Sequence, residues 1–136
     1  MNVIVVPFEI ERHLRYRKWT ERNGCRYDDL KQGVLAFSGG EIVGFAGIYN
    51  CIGLLNEIVV NIRPGFETQG IEKAMIKAVS EQFFYNYPTV ASVQAVIDEE
   101  DQKEYNDFTS VGYNRAFSED ELPIDRLLYT LKSPYY

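Results

Sequence analysis

The sequence predicts a mixed α/β (α+β) fold in which a mostly antiparallel central sheet is flanked by helices. Runs rich in β-branched residues alternate along the chain with stretches whose apolar residues recur every three or four positions. Two of the strand-like runs flank a Ser-Gly-Gly turn, which is typical of an antiparallel hairpin. A third run leads through a short polar loop into an amphipathic helix. With 136 residues the chain suits one hydrophobic core and is too short for two, so residues 1–136 are expected to form a single domain.

The first half of the chain is expected to provide a strand, a helix and the hairpin. Residues 2–8 contain four consecutive β-branched positions and predict a buried strand. Residues 9–22 change to a helical pattern, which ends at an Asn-Gly pair because both residues tolerate the left-handed cap conformation. Residues 33–37 and 41–49 form the two arms of the hairpin, since glycine supplies the positive φ that a tight turn requires.

The second half alternates strands and helices. Residues 54–62 form a nearly continuous apolar strand that ends at an Arg-Pro-Gly loop, because proline cannot continue a strand ladder. Residues 70–85 carry apolar side chains at helical spacing and predict an amphipathic helix, which Pro88 stops. The remaining elements are a strand, a short helix and two strands, at residues 90–97, 101–111, 113–117 and 126–132.

Composition and charge argue against several classes of protein. An apolar share of 46% is ordinary for a soluble globular protein, and no apolar run reaches the roughly eighteen residues of a membrane span. The formal charge of −6 argues against a nucleic-acid partner. Two cysteines, Cys25 and Cys51, make no disulfide framework and indicate a reduced, cytoplasmic protein. His13 is the only histidine, so no histidine-based metal site is expected.

Charged residues are unevenly distributed along the chain. Six arginines and lysines crowd into residues 12–26, whereas acidic residues dominate residues 98–107 and 119–125. Two solvated faces that complement each other would explain this pattern. Alternatively, the basic segment borders the site of an anionic ligand.

The joint between the apolar strand and the long helix contains the chemically most informative residues. Its sequence is Asn61-Ile62-Arg63-Pro64-Gly65-Phe66-Glu67-Thr68-Gln69-Gly70-Ile71. Unpaired main-chain amides and the positive pole of the helix dipole favour anions at such a helix start. Gly70 has no Cβ, so a phosphate can approach its backbone closely. Many strand–loop–helix joints contain one glycine and bind nothing, so a purely structural joint is the alternative.

Two segments of the chain resemble the GNAT superfamily of N-acetyltransferases. The family's cofactor loop, Arg/Gln-x-x-Gly-x-Gly/Ala, aligns with Glu67-Thr68-Gln69-Gly70-Ile71-Glu72. The family's ending, an aromatic residue four positions before Gly-Phe or Gly-Tyr, aligns with Phe108 and Gly112-Tyr113. The resemblance runs from the hairpin to the last strand and implies a diverged member with the GNAT-like acyl-CoA N-acyltransferase fold. Glu67 and Glu72 depart from the family pattern, which has Arg or Gln at the first position and a small residue at the second.

The resemblance implies acetyl-CoA (coenzyme A) as the cofactor. Its pantetheine arm would pair with the main chain of the strand at Val59, Val60 and Ile62, and its diphosphate would lie on the loop and the helix start. The implied contacts at that second place are Glu67, Thr68, Gln69, Gly70, Ile71, Glu72 and Lys73. Two carboxylates beside a diphosphate would weaken binding by about 0.3–1 kcal/mol each. Glu72 also stands where a side chain can reach back to cap the helix start.

Acetyl transfer to an amine requires a base for the ammonium proton and a proton source for the departing thiolate. Glu57 lies in the apolar strand, where partial desolvation would make its carboxylate a stronger base, and some relatives use a glutamate near this place. A strand-edge residue that points to solvent is the alternative. The family's general acid is a tyrosine at the position of Phe108, which has no proton to donate. Tyr105, one helical turn earlier, is the candidate substitute, although a half-buried packing role and proton donation by water are also open.

The sequence therefore supports three hypotheses. The first is an enzyme that moves an acetyl group from acetyl-CoA to an amine of a small molecule or a protein by direct attack. The second is a catalytically degenerate acyl-CoA-binding or protein-interaction module, which Phe108, Glu67 and Glu72 favour. The third is a domain that binds another phosphate ligand at the same joint. Terminal aromatic residues at Tyr135 and Tyr136 allow a homodimer, and no membrane or nucleic-acid partner is expected.

Overall fold

Strands make up most of the architecture. The structure is a computed structural model that describes residues 3–9, 29–50, 56–67, 70–116 and 126–135. Within these residues the helices are α1 (Ile71–Asn86) and α2 (Gln102–Val111). The strands are β1 (Val3–Pro7), β2 (Leu30–Ser38), β3 (Glu41–Asn50), β4 (Asn56–Ile62), β5 (Ser92–Ile97), β6 (Asn114–Arg115) and β7 (Leu127–Lys132).

All of these strands belong to one mixed sheet, in the order β1-β2-β3-β4-β5-β7-β6. Neighbouring strands are antiparallel except β4 and β5, which are parallel. α1 connects that parallel pair, whose strands cannot be joined by a tight turn. The predicted fold class, a mixed and mostly antiparallel sheet with flanking helices, is therefore confirmed.

The hairpin at the Ser-Gly-Gly turn is also confirmed. β2 and β3 pair with Ser38 opposite Glu41, so Gly39 and Gly40 alone form the turn. Their φ angles are 58° and 80°, and a pair of left-handed residues matches the right-handed twist of the flanking strands. The hairpin places β3 between β2 and β4, and all residues of β3 except the first and the last are buried.

β1 is less buried than the pattern of residues 2–8 suggested. Among the described strands it pairs only with β2, so it lies at an edge of the sheet. Ile4 is 60% exposed as a result. Consecutive β-branched residues identify a strand but not the number of its neighbours, so the expectation of a buried strand was wrong.

β4 has a complete ladder on one side and an almost unpaired edge on the other. Toward β3, every residue from Asn56 to Ile62 has an antiparallel partner. Toward β5, the described residues form one register pair, Glu57 opposite Gln94. The Asn56 N–H also donates to Gln94 Oε1 at 3.0 Å. The two parallel strands therefore meet at their N-terminal ends and separate beyond Glu57.

α1 covers the sheet with an apolar face, as its sequence pattern predicted. Its buried residues recur at three- and four-residue spacing: Ile71, Met75, Ile76, Val79, Ser80, Phe83 and Phe84. The helix ends at Asn86, because the residue before Pro88 is pushed out of the helical conformation.

α2 is short and capped at both ends. The Asp101 side chain accepts a hydrogen bond from the Glu104 N–H at 3.1 Å, and Gly112 ends the helix with a φ of 115°. Tyr113 follows in the core, where its hydroxyl is hydrogen-bonded to that of Ser80 at 2.8 Å. This buried bond fixes the end of α2 against the middle of α1.

Some expectations lie outside the described residues. They include most of the predicted helix at residues 9–22, with His13, and both Cys25 and Cys51. No helix in the part of the chain that the structure describes is long and apolar enough to cross a membrane.

We predict that Gly44→Ala destabilises the fold by about 1–3 kcal/mol, because the added methyl group overpacks the contact between β3 and α1. A Cβ at this position would lie 2.7 Å from Cε and 2.9 Å from Sδ of the buried Met75. Urea denaturation measures the loss in the free energy of unfolding. In a double-mutant cycle with Met75→Ala, the double variant is expected to lose less than the sum of the single losses. Additive losses would contradict this explanation.

Candidate active-site groove

A cavity of about 430 Å³ opens where the pairing between β4 and β5 stops, and we call it the groove. Its walls come from β4 and β5, from the loop before α1 and the first half of α1, from α2 with its N-cap, and from the residue before β7. The apolar lining residues are Ile58, Val59, Val60, Ile76, Val96 and Phe108. The charged lining residues are Glu57, Glu67, Glu72, Asp101, Lys103, Glu104, Asp107 and Arg126.

Glu57 stands at the end of the groove where the two parallel strands still pair. It is opposite Tyr49 of β3 on one side and Gln94 of β5 on the other. Glu57 is half-buried and lines the groove together with Val59 and Val60. The predicted base and two of the predicted pantetheine contacts therefore share one cavity, whereas Ile62 is not part of its lining.

The start of α1 has no capping hydrogen bond from a described side chain. Gly70 occupies the N-cap with a φ of 71°, and apart from Gly70 and its two chain neighbours no atom lies within 4 Å of the place where a Cβ would stand. Open space over uncapped amides is the local geometry that an anion requires. The side chain of Ile71 is buried in the core, and Thr68 and Gln69 lie outside the described residues.

The two acidic residues that depart from the family's loop pattern both have partners. Glu67 Oε2 accepts a hydrogen bond from the Gly65 N–H at 2.8 Å, so this carboxylate turns back into its own loop. Glu72 Oε1 lies 2.6 Å from Lys103 Nζ. The suggestion that Glu72 caps α1 is wrong, because its carboxylate is drawn across to this lysine instead.

Lys103 links the first turns of the two helices. Its Nζ contacts Asp107 Oδ2 at 2.9 Å as well as Glu72, and we call these three residues the Lys103 clasp. Burial alone would lower the pKa of Lys103, but the hydrogen bonds and charges of the two carboxylates outweigh it and raise the pKa above its ordinary value of 10.5. The lysine is therefore charged at neutral pH and neutralises part of the groove wall.

Glu104 and Arg126 form a second charged contact in the groove. Arg126 Nη1 lies 3.4 Å from Glu104 Oε1. Burial raises the pKa of the Glu104 carboxyl above its ordinary value of 4.5. Arg126 opposes this rise, whereas the charges of Asp101 and Asp98 add to it. The charged form of Glu104 is therefore disfavoured in the folded state.

Phe108 and Tyr105 face different surroundings, although they are one turn apart on α2. Phe108 is buried, lines the groove and packs edge-on against Tyr113, with ring centroids 5.2 Å apart. Tyr105 is half-buried, packs edge-on against Tyr129 at 6.2 Å and is not part of the groove lining. The Tyr129 hydroxyl in turn donates to Glu99. The role of Tyr105 as a proton donor stays a prediction.

Sequence reasoning missed most of the charged wall that α2 contributes. Asp101, Glu104 and Phe108 recur at three- and four-residue spacing, so they share a helix face that the position of Phe108 could have identified. Lys103 and Asp107 lie on the neighbouring face, at i and i+4. Arg126 could not be found in this way, because its position depends on how β7 pairs with β5.

We predict that Glu104→Gln changes the pH dependence of stability. The pKa of Glu104 is higher in the folded state than in the unfolded chain, so this group stabilises the fold below pH 4.5 and loses that contribution as pH rises through the raised pKa. The substituted amide cannot titrate, so the free energy of unfolding of the variant relative to the parent is expected to increase from about pH 4 to about pH 7. Urea titrations at several pH values measure this difference. Glu100→Gln, at an exposed position nearby, is the charge-matched control, and an equal trend in both variants would contradict the assignment.

No protein-family model and no curated protein matches the sequence, whereas many solved structures are similar to the chain. An IAA acetyltransferase from Bacillus cereus superposes with a TM-score of 0.68 at 14% identity, over 96% of this chain and 99% of that one. An acetyltransferase of the GNAT family from Streptococcus pneumoniae gives 0.66 at 12% identity, again over 96% and 99%.

A third similar structure, yncA from Salmonella typhimurium, contains its cofactor acetyl-CoA. It superposes with a TM-score of 0.65 at 11% identity, over 95% of this chain and 76% of that one. At this level of identity, structural similarity shows that two chains share a fold, but it does not show that they share an activity. The chain therefore has the fold of the GNAT acetyltransferases.

Proposed function

We propose that residues 1–136 form one diverged GNAT domain, which transfers an acetyl group from acetyl-CoA to a primary amine. The observation that carries this proposal is the groove between β4 and β5 together with the uncapped, left-handed start of α1 at Gly70. An extended thioester arm needs such a gap between strands, and a diphosphate needs free amides at its mouth. Both features lie on the one connection from β4 to α1.

The edge of β4 and the start of α1 offer the main-chain groups that the proposed cofactor would need. The main chain of Val60 and Ile62, on the edge of β4 that β5 leaves unpaired among the described residues, would pair with the amide groups of the pantetheine arm, and Val59 would contact the arm as part of the groove lining. The amides at the start of α1 would hold the diphosphate, where the space beside Gly70 leaves room for it. In this proposal Thr68, Gln69 and Lys73 complete the site.

Bound acetyl-CoA would supply an activated acyl group, its thioester. Glu57, at the closed end of the groove, would accept a proton from the acceptor's ammonium group, directly or through water, which leaves a neutral amine. The amine nitrogen would then bond to the acetyl carbon as the carbon–sulfur bond breaks, and the second proton that this nitrogen loses would pass through water to the departing thiolate. Phe108 contributes a dry wall and no proton at this place.

The acceptor is an amine of a small molecule or an amino group of a protein. An acidic groove favours the approach of a cationic ammonium group to Glu57, since six of the lining residues are acidic and two are basic. The similar structure from Bacillus cereus is named an IAA acetyltransferase. The proposal therefore includes both classes of acceptor.

The same charge also favours a second candidate function. Both basic residues of the groove, Lys103 and Arg126, already contact carboxylates. A cofactor with several phosphates would meet a wall whose positive charge is already used. A module with the same fold that binds acyl-CoA weakly, without turnover, or that only contacts proteins is the alternative that this observation favours.

Calorimetric titration with acetyl-CoA, followed by a thiol-release assay over a panel of amines, tests the proposal. Saturable binding with amine-dependent thiol release is the expected result. Binding without release for any amine would support the alternative module. Neither heat nor a thermal shift at millimolar acetyl-CoA would overturn the cofactor assignment itself.

We predict that Glu57→Gln lowers the rate of amine-dependent thiol release by about 10²- to 10⁴-fold, since the amide cannot accept the ammonium proton. Affinity for acetyl-CoA is expected to change little, because the substitution keeps the shape of the side chain. Glu100→Gln, which removes the same charge at an exposed position, is expected to leave both quantities unchanged. Undiminished turnover in Glu57→Gln would remove Glu57 from the mechanism while leaving the cofactor site in place.

A further inference from the structure

Most lysines of the described residues differ from the other cations in having no acidic partner. Every described arginine and Lys103 lie within 4.0 Å of a carboxylate. Lys31, Lys73, Lys77 and Lys132 have no such contact with a described residue. Lys31 lies on β2, whereas the other three lie close together.

These three lysines surround one cavity, which we call the lysine cavity. Its volume is about 500 Å³, and it lies between α1, the end of α2 and the end of β7. Lys73 and Lys77 are one turn apart on α1, and Lys132 is the last residue of β7. The remaining wall includes the apolar residues Phe84, Val111, Leu131 and Pro134. Glu81 is the one carboxylate that the described residues contribute to its lining.

The lysine cavity is distinct from the groove. The two cavities have no described lining residue in common. α1 lines each cavity with a different face. Glu72 and Ile76 line the groove, whereas Lys73 and Lys77 line the lysine cavity. A ligand of the lysine cavity therefore does not have to occupy the place proposed for the thioester arm.

The charge and the shape of the lysine cavity together identify a class of ligand. Three positive charges around one cavity repel one another, and an anion between them removes that repulsion. The apolar wall adds room for a flat, weakly polar group beside the anion, and the volume is within the range of small-molecule sites. We propose that the lysine cavity binds a mononucleotide-sized ligand, with a phosphate on the lysines and a ring on the apolar wall.

In this proposal the occupant of the lysine cavity is a free nucleotide, because the cavity shares no described lining residue with the groove. Adenosine monophosphate carries both a phosphate and a ring and is the probe of choice. Inorganic phosphate and adenosine, which each carry one of the two features, are the matched partial ligands. Adenosine monophosphate is expected to bind more tightly than inorganic phosphate or adenosine alone, since it contacts both the lysines and the apolar wall.

The test is calorimetry on the full chain with these three probes. Lys77→Gln combined with Lys132→Gln is expected to weaken binding of adenosine monophosphate by about tenfold or more. The same titration of Lys31→Gln with adenosine monophosphate is the control for the loss of a positive charge, since Lys31 is an exposed lysine outside this cavity. The pair Lys77→Arg and Lys132→Arg is expected to keep the affinity. Lys73 is left unchanged because it also belongs to the proposed cofactor site.

A competition with acetyl-CoA shows whether the nucleotide site is separate from the proposed cofactor site. Simultaneous binding of both ligands, with acetyl-CoA affinity unchanged in the Lys77→Gln, Lys132→Gln variant, is the expected result. Mutual exclusion, with both affinities lowered in that variant, would overturn the proposal, because the cavity would then hold only the nucleotide end of the cofactor. The proposal is overturned if adenosine monophosphate does not bind at millimolar concentration, if the double glutamine variant binds it as well as the parent does, or if Lys31→Gln weakens it equally.

Discussion

The single register pair between β4 and β5 is the constraint on which the rest of the structure depends. Parallel neighbours in a sheet normally continue their ladder, because unpaired main-chain groups are costly when they are removed from water. Here Glu57 and Gln94 hold the strands together at one end, and Gln94 also accepts the Asn56 N–H. Beyond that point the edge of β4 lines a cavity instead of pairing with a neighbouring strand. The groove, the proposed base and the proposed cofactor contacts all follow from this separation.

Charge determines what that groove can accept. Its carboxylates do not act as isolated negative charges: Glu72 and Asp107 share Lys103, Glu104 contacts Arg126, and Glu67 bonds to its own loop. The repulsion expected from the loop sequence is therefore reduced before any ligand arrives. The remaining excess of negative charge favours a cationic ligand and disfavours a ligand with several negative charges. The proposed enzyme and the alternative module differ in which of these two effects is larger.

Much of the fold could be predicted from the sequence, because local patterns determine local elements. The two glycines of the hairpin, the apolar spacing of α1 and the glycine after α2 each specify a conformation within a few residues. The exposure of β1 and the Lys103 clasp could not be predicted, because both depend on which distant elements become neighbours. Glu72 illustrates the limit. Its sequence position suits a helix cap, and only the approach of α2 shows that a lysine competes for its carboxylate.

The separation of β4 from β5 also divides the sheet mechanically. β1 to β4 form one continuous ladder and β5 to β7 another, joined along the backbone at a single position. Side chains supply the other ties, such as the Ser80–Tyr113 hydrogen bond and the core around Ile58 and Val93. Protein interiors are close-packed, so a change in the volume of a buried side chain shifts the elements that pack against it. The aperture between the two half-sheets is accordingly set by the sizes of interior side chains, and evolution can widen or narrow it without altering any strand.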